Sequence, residues 1–395
     1  MTARSEVSAD AALGEPFLVE VLSSLVRIPS VNPEVYEVAM ADRVRAWVAD
    51  LPVTVEVVEF ERGRPSVAVV LAGEGHGPRL VLNGHMDTVP IDDLEGWTDD
   101  PFKPTVRDGY LYGRGACDMK AGLATQIAVL HHFAALGQRP RGTLVVHFAA
   151  GEECAEPGTL SLLRAGFGGD FGIVTEPTEL QVAVAERGLC HYRIAIHGRA
   201  IHAGRADLGV NPVLALPAVL EIVREYDRDV RAQQHELLGG GTCTPTVLRA
   251  GVKENAVADL CELLLDRRLV PGESADGELK VLQERLAGVA QRTPGLEVTV
   301  SRFGLAFEPA ETPADTPFIN ELQEAVEEVT GRRSEVVGTP FASDVRNLVN
   351  DGGINAVTFG PGSVAECHCI DERVAISQLR DAAHVLAGVA RRMLL

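Results

Sequence analysis

The chain has 395 residues, 46% of them hydrophobic, with a mean hydropathy of +0.08 and a formal net charge of −20. That length exceeds what one hydrophobic core usually serves, so two domains are expected, and no apolar run approaches the roughly 18 to 20 residues of a membrane-spanning helix. The charge repels nucleic acid and anionic lipid surfaces, which excludes both as partners. Seven cysteines, an odd number without CxxC spacing, fit reduced thiols in a cytosol rather than a disulfide framework. The N-terminal MTARSEVSADAALGEP has no apolar stretch of the secretory kind, so a cytoplasmic protein is expected.

In chain order, residues 17–28 and 36–49 read as amphipathic helices, and VTVEVVEF and SVAVVLA as strands. RLVLNG is a short strand that runs into His85. An apolar helix, KAGLATQIAVLHHFAALG, follows Asp118, and RGTLVVHFAAGEE is a buried strand ending in two carboxylates. This βαβ alternation predicts an α/β fold: a mixed, mostly parallel sheet with flanking helices, whose sites form at the carboxyl ends of the strands. From about residue 187 the pattern changes. LCHYRIAIHG is a strand, NPVLALPAVLEIVREYDRDV a helix, TPTVLRAG and VADLCELLLDRR two strands, 273–290 a helix and LEVTVSRFG a last strand, in βαββαβ order. The domains expected are therefore a core of 1–186 and 299–395 and an inserted α+β domain of 187–298. SDVRNLVNDG then reads as a helix, INAVTFG as a buried strand returning to the core, and GGGTC at 239–243 as a loop.

The chemistry-bearing residues lie where apolar runs end, in NGHMDTVP (83–90), GRGACDMKAG (113–122), AAGEE (149–153), VTEPT (174–178) and GPGSVAECHCIDE (360–372). All carry the imidazole and carboxylate donors that suit zinc, cobalt or manganese in a hydrolytic site. His85 and Asp87, two apart, share a strand face, so Asp87 can accept the second N–H of a ligating His85. Asp118 on its own reads first as a helix N-cap, although a carboxylate there can also bridge two cations. Of Glu152 and Glu153, one can bind metal while the other takes a proton from water, and an isolated GEE also reads as a plain loop. His131, His132, His147, His191, His197 and His235 fall in no such segment and read as surface or satisfied core histidines.

Taken jointly and in order, GHMDTVP, YGRGACDMKAG, GEE, EPT, RGLCHYRIAIHGRAIHAG, the stretch from Asn255 to Arg268, and GPG followed by His368 resemble the M20 family of metallopeptidases. The resemblance runs from about residue 15 to the C-terminus and implies a fold of the zinc-exopeptidase type with a lid and dimerisation domain. It implies two divalent metal ions per chain, zinc first and cobalt or manganese as alternatives: one held by His85, Asp118 and Glu176, the other by Asp118, Glu153 and His368. It further implies Glu152 as general base, Asp87 as the residue orienting His85, and His202 as the oxyanion donor reaching a neighbouring subunit of a homodimer. Asn255 and Arg268 would hold substrate, and the Asp118–Met119 peptide bond would be cis.

The activity implied is hydrolysis of the amide bond of an N-acyl amino acid. In such families the position of Glu176 tends to be Asp in aminopeptidases and Glu in deacylases and carboxypeptidases. A dipeptidase or carboxypeptidase is the alternative, and a metal-binding regulator without catalysis would have no use for Glu152. Cys117, Cys154, Cys367 and Cys369 crowd the same segments, as small buried residues or as a thiol nucleophile or softer ligand. The loops RADLGVNP (205–212) and GTPFASD (338–344) are where acyl-group and side-chain contacts would fall.

Overall fold

A computed structural model describes residues 7–91 and 93–395; residues 1–6, which begin the N-terminal segment read above, and Asp92 lie outside the described residues. The chain forms two compact units. One comprises Met1–Val184, Glu311–Val337 and Ser343–Leu395, the other Ala185–Ala310 and Gly338–Ala342.

The first unit is built on a nine-stranded sheet in the order Thr54–Glu59, Pro65–Leu71, Thr143–Ala149, Arg79–His85, Phe171–Val174, Asn355–Thr358, Val182–Glu186, Ala310–Glu311, with Val336–Thr339 paired to Val182–Glu186. The four strands from Thr143–Ala149 to Asn355–Thr358 run parallel, and the pairs outside them at Thr54–Glu59, Pro65–Leu71 and Val182–Glu186 are antiparallel. Runs such as LVL in Arg79–His85 and LVVHF in Thr143–Ala149 are buried on both faces, as expected where helices cover a parallel sheet on each side. Helices Lys120–Leu136 and Ile376–Leu394 pack against each other and on the Arg79–His85 strand, while Gly158–Arg164 packs on Pro65–Leu71 and Thr143–Ala149. A Cβ on Gly122 would lie 2.3 Å from the Thr175 carbonyl oxygen, so only glycine lets the first turn of Lys120–Leu136 approach the loop carrying Glu176.

The second unit is a four-stranded antiparallel sheet in the order Thr242–Ala250, Leu260–Leu269, Gly188–His197, Glu297–Phe307. Helices Leu216–Ala232 and Ala275–Ala290 share one core with its inner face, in which Cys190, Tyr192, Ile194 and Ile196 meet Cys261, Leu263 and Leu265. The every-other-residue burial of Leu260–Leu269 is the period-two signature of a sheet covered on one side.

Several details differ from the sequence reading. The boundary at 298 falls inside the Glu297–Phe307 strand, which pairs with Gly188–His197 along most of its length. The helix starting at Asn211 opens as a 3-10 turn, Pro212–Ala215, and becomes α-helical at Leu216, next to Pro217, whose missing N–H is tolerated only in a first turn. SDVRNLVNDG is helical over 345–351 as read, but only 345–346 are α-helical before the helix widens into a π-helical turn, Asn347–Asp351, stopped by Gly352 and Gly353, the latter at φ 63°. Within GGGTC, Gly239–Gly240 pairs with Gln234–His235, and Thr242 starts a strand. Among the described residues no helix is long and apolar enough to cross a membrane.

Candidate active site

The parallel strands of the first unit deliver their following residues to one edge. His85 is the last residue of its strand; Glu152 and Glu153 follow Thr143–Ala149, Glu176 follows Phe171–Val174, and the loop to His368 follows Asn355–Thr358. His85 Nε2 lies 3.2 Å from Asp118 Oδ1 and 3.4 Å from Glu176 Oε1. His368 Nε2 lies 3.1 Å from Asp118 Oδ2 and 3.3 Å from Glu153 Oε1. Asp118 thus turns one oxygen to each histidine. In both triads, His85–Asp118–Glu176 and Asp118–Glu153–His368, the donor atoms lie within 4.8 Å of one another.

Asp118 is not a helix cap. The N-cap of Lys120–Leu136 is Met119, without a side-chain cap bond, and the Asp118–Met119 peptide bond is cis. His368 has φ 58°, a left-handed backbone that a bulky residue adopts only where its surroundings hold it.

Two buried carboxylates fix the turns that carry these donors. Asp87 accepts the backbone N–H groups of Gly151 (3.0 Å), Glu152 (3.2 Å) and Glu153 (3.1 Å), and the side-chain amide of Asn32 (2.9 Å). Glu372 accepts those of Gly115 (3.0 Å), Cys117 (2.9 Å) and Asp118 (3.0 Å), and pairs with Arg114 at 2.7 Å. The contact between Asp87 and His85 differs from the sequence expectation. His85 Nδ1 lies 2.9 Å from the Asp87 backbone carbonyl and 3.5 Å from its carboxylate. The strand ends at His85, so the same-face rule for residues two apart no longer applies beyond it.

The electrostatics of the cluster call for positive charge. Burial, reinforced by the charge on Asp118, pushes Glu153 and Glu176 each up to about 8. Burial opposes the charge on Asp118, but hydrogen bonds from His368 and His85 hold its carboxyl well below the usual range. Hydrogen bonds to Asp118 and Glu153 push His368 up to about 11. Burial likewise opposes the charge on His85, and the carboxylates of Glu176, Asp118 and Asp87 outweigh it and raise the imidazole well above its ordinary value. Protons thus sit where cations would relieve the same repulsion, and the donor set fits divalent ions that accept imidazole and carboxylate. Glu152 is also raised, by burial first, with Arg346 and His85 working the other way.

Sequence reasoning missed Glu372 and Arg346. Glu372 closes the GPGSVAECHCIDE segment and could have been suspected there. Arg346 Nη1 lies 3.1 Å from Glu152 Oε1, with both side chains buried, and no local pattern announces that pairing. His147, read as a bland histidine, is buried and bonds through Nε2 to the Phe167 carbonyl at 2.8 Å. The cysteines are all free, with Cys117 Sγ 3.8 Å from Cys367 Sγ.

In the second unit His202 and Asn255 are neighbours. The strand Ile201–His202 pairs with Ala256–Val257, and the Ala203 N–H donates to the Asn255 carbonyl at 2.9 Å. His202 is exposed, its Nδ1 accepting from the Gly204 N–H at 3.1 Å. Arg268 stands apart from both, near the far end of Leu260–Leu269, where its guanidinium meets Asp266 at 2.9 Å.

The sequence profile of peptidase family M20/M25/M40 matches residues 81–392. An N-formyl-4-amino-5-aminomethyl-2-methylpyrimidine deformylase from Halalkalibacterium halodurans is 25% identical over 388 residues, covering 92% of this chain and 91% of that protein. Acetylornithine deacetylase from Salmonella typhimurium is 28% identical over 371 residues, 90% of this chain and 92% of that protein. Among solved structures, a Staphylococcus aureus tripeptidase superposes with a TM-score of 0.78 at 21% identity, over 96% of this chain and 98% of that one. The Bacillus subtilis YXEP protein, a dinuclear metal-binding peptidase of the M20 family, gives 0.74 at 18% identity, again over 96% and 98%. Those two structures speak for the fold; the profile, spanning most of the chain and every donor at the strand ends, makes it a member of peptidase family M20/M25/M40, a metal-dependent amidohydrolase.

Proposed function

We propose that this chain hydrolyses the amide bond of an N-acyl amino acid, with Glu152 as general base beside two divalent ions. The observation that carries the reading is the pair of donor triads sharing Asp118, with Glu152 on the same short turn as Glu153. When bound, the ions, one held by His85, Asp118 and Glu176 and the other by Asp118, Glu153 and His368, supply Lewis acidity to the acyl oxygen and lower the pKa of water toward neutrality. Zinc is the first candidate, with cobalt and manganese next, since imidazole and carboxylate donors serve all three. Glu152 takes the proton of the attacking water and returns it to the leaving amine. Asp87 holds the turn on which Glu152 sits, and Glu372 the turn of Asp118.

The substrate class rests on two supports. The deformylase and deacetylase relatives are named for removing small acyl groups from amines, and Glu176 stands where deacylases tend to carry Glu. A cytoplasmic homodimer fits the proposal as well. The inserted unit would be the lid and dimerisation domain, with His202 of one chain stabilising the oxyanion in the partner's site. Asn255, substrate-binding in this reading like Arg268, lies in the turn before Leu260–Leu269, whereas Arg268 lies near the far end of that strand. In this reading Asn255 acts together with its neighbour His202.

The test is a hydrolysis screen of N-acetyl, N-succinyl, N-formyl and N-carbamoyl amino acids beside dipeptides, with zinc, cobalt or manganese added. One acyl class is expected to exceed the dipeptides in kcat/KM by about tenfold or more. Dipeptides as the leading substrates would overturn the deacylase reading.

A further inference from the structure

Glu152 is tied into a buried polar chain that begins on the central strand. Asn83, two residues before His85, donates from Nδ2 to Thr159 Oγ1 at 2.8 Å, and the Thr159 hydroxyl donates to Asp344 Oδ2 at 2.6 Å. Asp344 Oδ1 faces Arg346 Nη2 at 4.0 Å, and Arg346 Nη1 donates to Glu152 Oε1 at 3.1 Å. The same Nη1 also donates to the Ser343 carbonyl, so the guanidinium is anchored on its own backbone turn. Asn83, Thr159, Asp344, Arg346 and Glu152 are all buried.

A carboxylate that must meet a water at one point in space gains from a partner that removes its rotamer freedom, and the planar, multiply bonded guanidinium is suited to that. An arginine held by Ser343 and Asp344 presents its N–H in a fixed direction. A lysine at the same position would bring charge without that fork.

We propose that Arg346 is a positioning residue for Glu152, holding its carboxylate in the rotamer that meets the attacking water, and that Asp344 and Thr159 in turn hold Arg346. The proposal rests on Glu152 being the base.

The test is a double-mutant cycle on the full-length, metal-loaded protein with the best substrate of the acyl-amino-acid screen. Arg346→Gln is expected to lower kcat about 100-fold with KM within about threefold, and to lower kcat less than about threefold in a Glu152→Gln background. Arg346→Lys should recover about tenfold of the loss, because it restores the charge without the fork. Equal losses in both backgrounds, or a rise in KM in both, would overturn the proposal, the second pointing to a substrate contact. Should Arg346→Gln not fold, Arg346→Lys completes the same cycle and is read by the same non-additivity.

A crystal structure of the metal-loaded Arg346→Gln protein gives a readout independent of turnover. The Glu152 side chain should leave its wild-type rotamer or split between two, with Glu153 and His368 unmoved; an unaltered Glu152 overturns the proposal. Wild-type turnover in Glu152→Gln alone would instead remove the base reading, while the rotamer result would still decide whether Arg346 positions Glu152.

Discussion

Asp87→Asn separates holding a histidine from holding a turn. The substitution keeps the shape and one acceptor oxygen. If that oxygen stays at Oδ1, the N–H groups of Gly151 and Glu152 keep their partner, and the new NH2 faces the Glu153 N–H and the Asn32 amide, which now donate to Oδ2. Asn32 could turn its amide over, but that gives up its 3.2 Å bond to Glu37 Oε1. At least one buried backbone donor is stranded and the remaining bonds lose their charge assistance, a cost of about 3 kcal/mol from typical values for hydrogen bonds to charged groups. Asp87→Ala strands all four donors and should cost more. Urea unfolding of the metal-loaded proteins, followed by tryptophan fluorescence, measures this as a shift in midpoint at constant slope. A loss below about 0.5 kcal/mol for Asp87→Asn, the range of an ordinary surface substitution, would refute the claim that this carboxylate holds the 151–153 turn. The contrast is informative because His85 Nδ1 already has the Asp87 backbone carbonyl at 2.9 Å, which the substitution leaves in place.

Glu152→Gln should retain two divalent ions per chain by metal analysis while kcat falls about 100-fold or more, the usual scale for loss of a general base; loss of an ion along with turnover would make Glu152 a ligand instead. In subunit mixing, His202→Ala and Glu152→Gln homodimers should each be nearly inactive, with activity regained in heterodimers, where one site has both residues; no recovery after demonstrated subunit exchange would put His202 outside a shared site. His147 supplies a pH dependence of stability. Burial lowers it to about 4, below the roughly 6.5 of an unfolded histidine. The unfolded chain therefore takes up a proton that the folded chain refuses, so stability is full above about 6.5 and declines as pH falls toward 4, by about 2 kcal/mol between pH 7 and 5. His147→Gln should remove that part of the slope in urea titrations, and an unchanged slope would assign it elsewhere.

Much of the site was legible because its donors sit in short polar motifs directly after buried runs. His85 ends a strand, and Glu152, Glu153 and Glu176 follow strands, whose apolar character is unmistakable, and parallel strands release their ends to one edge. What the sequence concealed was which atoms hold those donors in place. HxD spacing suggested a carboxylate on His85; the Asp87 carboxylate does lie 3.5 Å from Nδ1, but the backbone turns once the strand ends, so the Asp87 carbonyl is nearer and the carboxylate also caps Gly151–Glu153, which the spacing did not announce. An aspartate before an apolar helix suggested a cap, yet Met119 is the N-cap and Asp118 stands between two histidines. SDVRNLVNDG read as a helix from its apolar spacing, and 345–351 is helical, but the spacing was silent on what its charged residues hold. Its Asp344 and Arg346 are used before the π-helical turn begins, one bonded by Thr159 and the other to Glu152.

The misreadings share a cause. A buried charged group meets its partner across the fold: 64 to 66 residues separate Asp87 from the backbone amides it accepts, 254 to 257 separate Glu372 from its own, and 194 separate Arg346 from Glu152. Periodicity and capping rules reach only a few residues along the chain, so they detect where a ligand can emerge but not what orients it. The orienting groups are nevertheless what lets a cluster this rich in carboxylate keep its shape. Asp87 and Glu372 bind to rigid backbone amides rather than to mobile side chains alone, so the turns bearing Glu153 and Asp118 are defined by the protein itself. Cations that settle among the donors then find positions already directed at them, and the binding free energy is not spent on ordering the loops.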